Sequence, residues 1–139
     1  MQHPTQIIIL GGTGDLSQRK LLPALHDLFA RGMLPESFNI IGLARSKRSD
    51  EDYRNFVHTA ISTNDTEHDH DTNSIDKFCK HISYVAGSFD DSVTYEKLNT
   101  AAAAFDTIQS THSNRLFYLA VPPSYYGQIF SDLATSGAA

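Results

Sequence analysis

The stretch that decides the fold is Ile7-Ile8-Ile9-Leu10-Gly11-Gly12-Thr13-Gly14-Asp15-Leu16-Ser17. Its four consecutive apolar residues predict a strand buried on both faces, and the glycines stop that strand abruptly. An apolar periodic segment begins at Leu16. Strand, Gly-rich turn and helix in that order build an anion site at the helix N-terminus, suited to the pyrophosphate of a dinucleotide. The turn reads as Gly11-x-x-Gly14-x-x-Ser17 and also as Gly12-x-Gly14-x-x-Ser17. Glycine permits unusual dihedrals and close approach of backbone to phosphate, and Ser17 is the small residue where helix packs on sheet. Glycine triplets also make ordinary turns, so the flanking strand and amphipathic helix carry the reading. Asp15 reads as a carboxylate favoured in a helix's first turn.

Strands are expected at Gln6–Leu10, Asn39–Leu43, Ile82–Ala86 and Arg115–Ala120, with helical patterns between them. Leu21, Leu22, Leu25, Leu28 and Phe29 share one helical face, which Gly32 and Pro35 end. Pro23 lies inside that pattern and predicts a kink or restart. Ser49 with Asp52 resembles a capping box ahead of the stripe Tyr53, Phe56, Val57, Ala60 and Ile61. Leu98, Ala101, Ala102, Phe105 and Ile108 mark another helix, and Tyr126, Ile129, Phe130 and Leu133 the last. Alternating strands and helices predict an α/β fold, a doubly wound parallel sheet of the Rossmann-like dinucleotide-binding type.

The 139 residues form one NAD(P)-binding domain, residues 1–139, in this reading. A net charge of −5 excludes a general nucleic-acid binder, which needs a basic excess. No apolar run approaches the roughly 18 residues that cross a bilayer. The N-terminus lacks the basic region and apolar core of a signal peptide, and the single Cys79 suits a reducing cytosol, so a cytoplasmic location is expected. Cys79 beside Phe78 reads as a small core hydrophobe. Residues 62–74 hold no apolar side chain at all and predict a mobile polar loop. His68 and His70, flanked by Asp69 and Asp71, could suggest a metal site; a flexible segment offers no preorganised geometry, so no metal is assigned.

At the end of the second strand, an NAD-specific domain places Asp or Glu against the ribose 2′-hydroxyl. Here Gly42-Leu43-Ala44 leads into Arg45-Ser46-Lys47-Arg48. Arg grips a 2′-phosphate with paired charged hydrogen bonds where a carboxylate would repel it, so Arg45 favours NADP. Lys47 and Arg48 read as a solvated basic loop.

The chain resembles the N-terminal coenzyme domain of the glucose-6-phosphate dehydrogenase family. The similar segments are Gly11-Gly12-Thr13-Gly14-Asp15-Leu16-Ser17-Gln18-Arg19-Lys20-Leu21-Leu22-Pro23, Gly32-Met33-Leu34-Pro35-Glu36, Ile41-Gly42-Leu43-Ala44-Arg45-Ser46, Tyr84-Val85-Ala86-Gly87-Ser88-Phe89-Asp90 and Asn114-Arg115-Leu116-Phe117-Tyr118-Leu119-Ala120-Val121-Pro122-Pro123. They run in family order along almost the whole chain. The resemblance implies that Gly11, Gly12, Thr13, Gly14, Asp15, Leu16, Ser17 and Gln18 form the dinucleotide turn and that Arg45 holds the 2′-phosphate. It also implies that Tyr126 lies beside the nicotinamide end of NADP, although Tyr126 also fits the apolar stripe of its helix. Gln18 stands where some relatives carry a basic residue.

The implied activity is oxidation of glucose 6-phosphate with NADP, the first step of the oxidative pentose phosphate pathway, by a homo-oligomeric parent enzyme. The family's Glu-Lys-Pro segment and its base histidine in an Asp-His-Tyr context have no counterpart here, so no catalytic residue is assigned. The expectation is therefore a fragment, incomplete at the C-terminus, that meets glucose 6-phosphate only with a missing C-terminal part. Two alternatives compete with this reading. A short-chain-type reductase would need a Tyr-x-x-x-Lys pair, which is lacking. A non-catalytic NADP-binding sensor or regulatory protein would need only the cofactor site.

Overall fold

Apolar residues on successive positions of β1 (Thr5–Leu10) leave neither face for water, and every residue of the strand is buried. In the computed structural model, which describes residues 4–64, 72–89 and 91–136, β1 pairs in parallel with β2 (Phe38–Ala44) and with β4 (Asn114–Leu119). β2 pairs in parallel with β3 (Ile82–Ala86), giving the order β3-β2-β1-β4. The expected strands are all present, with ends displaced by at most one residue.

Alternation along the sheet sorts the core into two layers. Ile7, Ile9 and Ile40 pack with Leu22, Leu25, Val57, Ile61, Ile75 and Phe78, from α1 (Leu22–Ala30), α2 (Asp50–Asn64) and α3 (Thr72–Cys79). Ile8, Leu10, Ile41 and Leu43 pack with Leu98, Ala102, Ile129 and Leu133, from α4 (Ser92–Gln109) and α5 (Tyr126–Ser136). Helices therefore cover both faces, as the doubly wound reading predicts. β4 lies at the end of the sheet and alternates exposed and half-buried residues. Leu116 and Tyr118 share the face of Ile7 and Ile9 through their register, yet are 57% and 42% exposed because no described helix covers β4 on that side.

The proline and capping signals act locally. The helix runs without a break from Asp15 to Ala30 and widens to a π-helical turn at Ser17–Leu21, directly ahead of Pro23, whose ring nitrogen has no N–H to donate. The chain therefore does not restart at Pro23; the π-helical turn sits where a kink or restart was expected. Gly32 ends α1 at φ +71°, with Met33 N–H bonded to the Leu28 carbonyl at 2.8 Å. Ser49 Oγ accepts from Asp52 N–H at 3.0 Å, and Asp52 Oδ2 accepts from Ser49 N–H at 3.4 Å, completing the capping box.

Three expectations need correction. Helix, not loop, occupies both margins of the polar segment. α2 continues to Asn64, with Ser62 Oγ bonded to the His58 carbonyl at 2.8 Å, and α3 begins at Thr72. The central part of that loop, with His68, Asp69, His70 and Asp71, lies outside the described residues. Ile108 and Phe130 are 77% and 57% exposed, so neither joins the core stripe of its helix. Arg48 is not simply solvated, since its guanidinium lies 4.9 Å from the centre of the Phe56 ring. Cys79 is buried as expected, and burial pushes its thiol up to about 11, which leaves it inert.

Candidate cofactor site

The carboxyl ends of β1, β2 and β4 converge on one edge, with β1 flanked on both sides, and this is the switch point where open parallel sheets bind ligands. The glycine turn follows β1 there. Gly11 and Gly12 N–H both bond to the Leu43 carbonyl, at 2.8 and 3.1 Å, which pins the turn to the end of β2. Gly14 N–H returns to the Gly11 carbonyl at 3.0 Å, and the buried Ser17 hydroxyl donates to the same carbonyl at 2.8 Å. Gln18 Nε2 reaches the Thr13 carbonyl at 3.3 Å. The backbone N–H groups of Thr13, Asp15 and Leu16 then have no backbone acceptor among the described residues, leaving donors for an incoming anion.

Each glycine has its own reason. Gly11 holds φ +91°, and a Cβ there would meet the Ala120 carbonyl oxygen at 2.5 Å. At Gly12 a Cβ would meet the Tyr53 hydroxyl at 2.7 Å. Gly14 is less constrained: its φ is unexceptional, and a Cβ would lie 3.3 Å from the Gly11 carbonyl oxygen, a tight contact that a shift of a few tenths of an ångström relieves. Internal packing therefore constrains Gly14 less than Gly11 or Gly12. The residues present fit a dinucleotide pyrophosphate. Asp15 forms an exposed ion pair with Arg19, at 3.0 Å, in keeping with its first-turn role and worth little in stability. Leu16 is 46% exposed, so the apolar face of this helix starts later than its first apolar residue.

Arg45 leaves the tip of β2 into solvent, and its guanidinium reaches the Tyr125 hydroxyl at 3.5 Å. Tyr125 ends a short 3₁₀ turn, Pro123–Tyr125, and its ring also meets Phe89 edge-on at 6.1 Å. This contact joins the end of β2 to the start of α5, and sequence reasoning missed it because 80 residues separate the partners. Tyr126, the expected nicotinamide neighbour, opens α5 half-buried, with its ring 6.3 Å from Phe130. The described histidines have structural partners elsewhere. His26 meets Ser74, His58 meets Asp76, His81 meets the Phe38 carbonyl and His112 approaches Asp106.

Comparison with known proteins agrees with this geometry. Residues 8–139 match the family described as glucose-6-phosphate dehydrogenase, NAD binding domain. A Bacillus subtilis protein named glucose-6-phosphate 1-dehydrogenase is 35% identical over 136 residues, covering 98% of this chain and 27% of the relative. A Schizosaccharomyces pombe protein of the same name is 37% identical over 127 residues, covering 91% and 25% respectively. A solved structure of glucose-6-phosphate dehydrogenase in complex with its substrate glucose-6-phosphate superposes with a TM-score of 0.85 at 35% identity, over 98% of this chain and 28% of that one. The chain thus spans about a quarter of the length of the curated relatives it matches.

Proposed function

Because the chain belongs to the glucose-6-phosphate dehydrogenase NAD-binding-domain family, we propose that it is the NADP-binding part of an enzyme that oxidises glucose 6-phosphate at C1 to the lactone. The observation that carries the cofactor choice is Arg45 at the carboxyl end of β2, where a carboxylate would select NAD. NADP, when bound, supplies the hydride acceptor. Gly11 through Gln18 bind its pyrophosphate, Arg45 pairs with the 2′-phosphate, and Tyr126 sits toward the nicotinamide. No residue of this chain serves as the catalytic base or as the lysine that meets the sugar phosphate. Those roles, and most contacts to glucose 6-phosphate, fall to sequence outside these residues.

The same reading places the parent enzyme in the cytoplasm as a homo-oligomer, at the first step of the oxidative pentose phosphate pathway, without nucleic-acid or membrane partners. The free, buried Cys79 fits a reducing compartment, and the net charge of −5 fits the lack of a nucleic-acid partner. Nothing in the relatives favours a non-catalytic sensor. The test is titration of NADP and NAD against the wild-type full chain and Arg45→Ala. Charged hydrogen bonds to phosphate are worth about 1.5–3 kcal/mol, so NADP affinity should fall on the order of tenfold to a hundredfold while NAD affinity holds. Equal loss for both cofactors refutes the role of Arg45.

A further inference from the structure

Tyr53 lies in the apolar stripe of α2, fully buried, and phenylalanine would fill that place equally well. Its hydroxyl is the feature that packing does not explain. It donates to the Gly12 carbonyl at 2.9 Å, inside the pyrophosphate turn. Burial pushes the phenol far above its ordinary range, and neighbouring Tyr84 pushes the same way, so the donor proton stays in place. The ring occupies space that two glycines leave open: a Cβ on Gly42 would come 2.3 Å from Tyr53 Cζ, and one on Gly12 would meet the hydroxyl.

Against this ring lies Tyr84 of β3, with centroids 4.9 Å apart and planes inclined by 34°. The Tyr84 hydroxyl also ends on a backbone carbonyl, that of Ser46, the residue after Arg45. Ser46 Oγ lies 3.5 Å from the same hydroxyl. Phe56 also stacks with Tyr53, at 5.8 Å and 14°, and Arg48 rests on Phe56. Two tyrosine hydroxyls in one aromatic cluster are thus spent on the two loops that flank the cofactor site. A hydroxyl buried without such a partner would cost stability.

We infer that Tyr53 and Tyr84 are positioning residues that tie the pyrophosphate turn to the Arg45 loop and so help set the preference for a 2′-phosphorylated dinucleotide. This inference rests on the assignment of Arg45 to the 2′-phosphate. Tyr84 fixes the backbone from which Arg45 projects, so its loss acts on the phosphorylated ligand selectively. Tyr53 holds the turn common to both ligands and, through ring contact, steadies Tyr84.

The experiment compares the wild-type full chain with Tyr53→Phe, Tyr84→Phe and Arg45→Ala, using NADP and NAD as probes in calorimetric titrations. Amide hydrogen exchange of the ligand-free chain is followed in parallel. Tyr84→Phe should lower the NADP-to-NAD affinity ratio by roughly three- to tenfold, the worth of one hydrogen bond. Tyr53→Phe should weaken both cofactors and speed exchange in residues 11–17 and also in residues 45–48. A merely structural role would weaken NADP and NAD alike in Tyr84→Phe, and that result overturns the proposal. So does faster exchange confined to residues 11–17 in Tyr53→Phe. If Arg45→Ala leaves the affinity ratio unchanged, the NADP assignment fails instead, and the exchange pattern alone then decides whether the two loops are coupled.

Discussion

Gly11→Ala should be far more damaging than its single methyl group suggests. Gly11 adopts φ +91°, a region that L side chains rarely enter. The new Cβ would lie 2.5 Å from the Ala120 carbonyl oxygen and 3.0 Å from Val121 Cγ1. That oxygen is backbone, and the Ala120 N–H is bonded to the Leu10 carbonyl at 2.8 Å, so it cannot swing aside as a side chain would. The left-handed conformation costs an alanine about 1–2 kcal/mol and overpacking about 1–3 kcal/mol more, a total of roughly 2–5 kcal/mol. Domains are stable by about 5–15 kcal/mol, so the variant should retain a fold with a clearly reduced margin. Urea unfolding followed by circular dichroism reads the loss directly, as a lowered midpoint at unchanged slope. A loss below about 1 kcal/mol, ordinary for a point substitution, would show that the turn relaxes freely and that the strain argument is wrong.

Gly14→Val should instead leave the fold intact, by circular dichroism, and weaken both NADP and NAD by at least about tenfold in titration; unchanged affinity in the folded variant removes the turn from the site. Asp106 is 12% exposed, and although burial pushes its carboxyl up, hydrogen bonds from Ser113 and Arg115 outweigh this and hold it below the usual carboxylate range. Its contribution is therefore complete above the unfolded value near 4 and disappears as pH falls through the depressed folded value, so Asp106→Asn should flatten the acid limb of stability against pH; an unchanged limb contradicts it. The 139-residue chain mixed with glucose 6-phosphate and NADP should give no NADPH absorbance, because hydride transfer needs a base and a sugar-positioning group. Turnover that co-purifies with the chain and disappears in Gly14→Val would require a base among its own histidines.

The sheet was legible because backbone requirements leave marks in the sequence. β1 and β2 are buried on both faces, so their apolar residues run without alternation, and glycines or Arg45 mark where each strand ends. The Ser49–Asp52 box and Gly32 are equally local, since each satisfies bonds within a few residues. The polar segment misled for the opposite reason. Composition averaged over residues 62–74 concealed the end of α2, where Ser62 and Thr63 are exposed, and the start of α3, whose anchors Ile75, Phe78 and Cys79 follow at helical spacing. Phe130 is exposed although Ile129 and Leu133 on the same helix are buried, and Ile108 is exposed near the end of α4; periodicity alone does not mark which apolar residues of a stripe the core covers.

The site divides along the same line. Gly11 was legible because its conformation admits almost nothing else, and the place of Arg45 because it follows directly on the last residue of β2. Tyr53 was assigned to the core, correctly, but an apolar stripe cannot reveal that a buried hydroxyl reaches a carbonyl 41 residues away. Tyr125 escaped because its neighbour Tyr126 fits the stripe of α5 and drew the attention, while the bond from Arg45 goes to Tyr125. In both cases the partner lies on another strand's carboxyl end, a proximity created by the parallel winding and not by the spacing of residues. Contacts of this kind are where a nucleotide-binding sheet can differ among relatives that share the same glycine turn, because the turn answers to the pyrophosphate and its surroundings answer to one another.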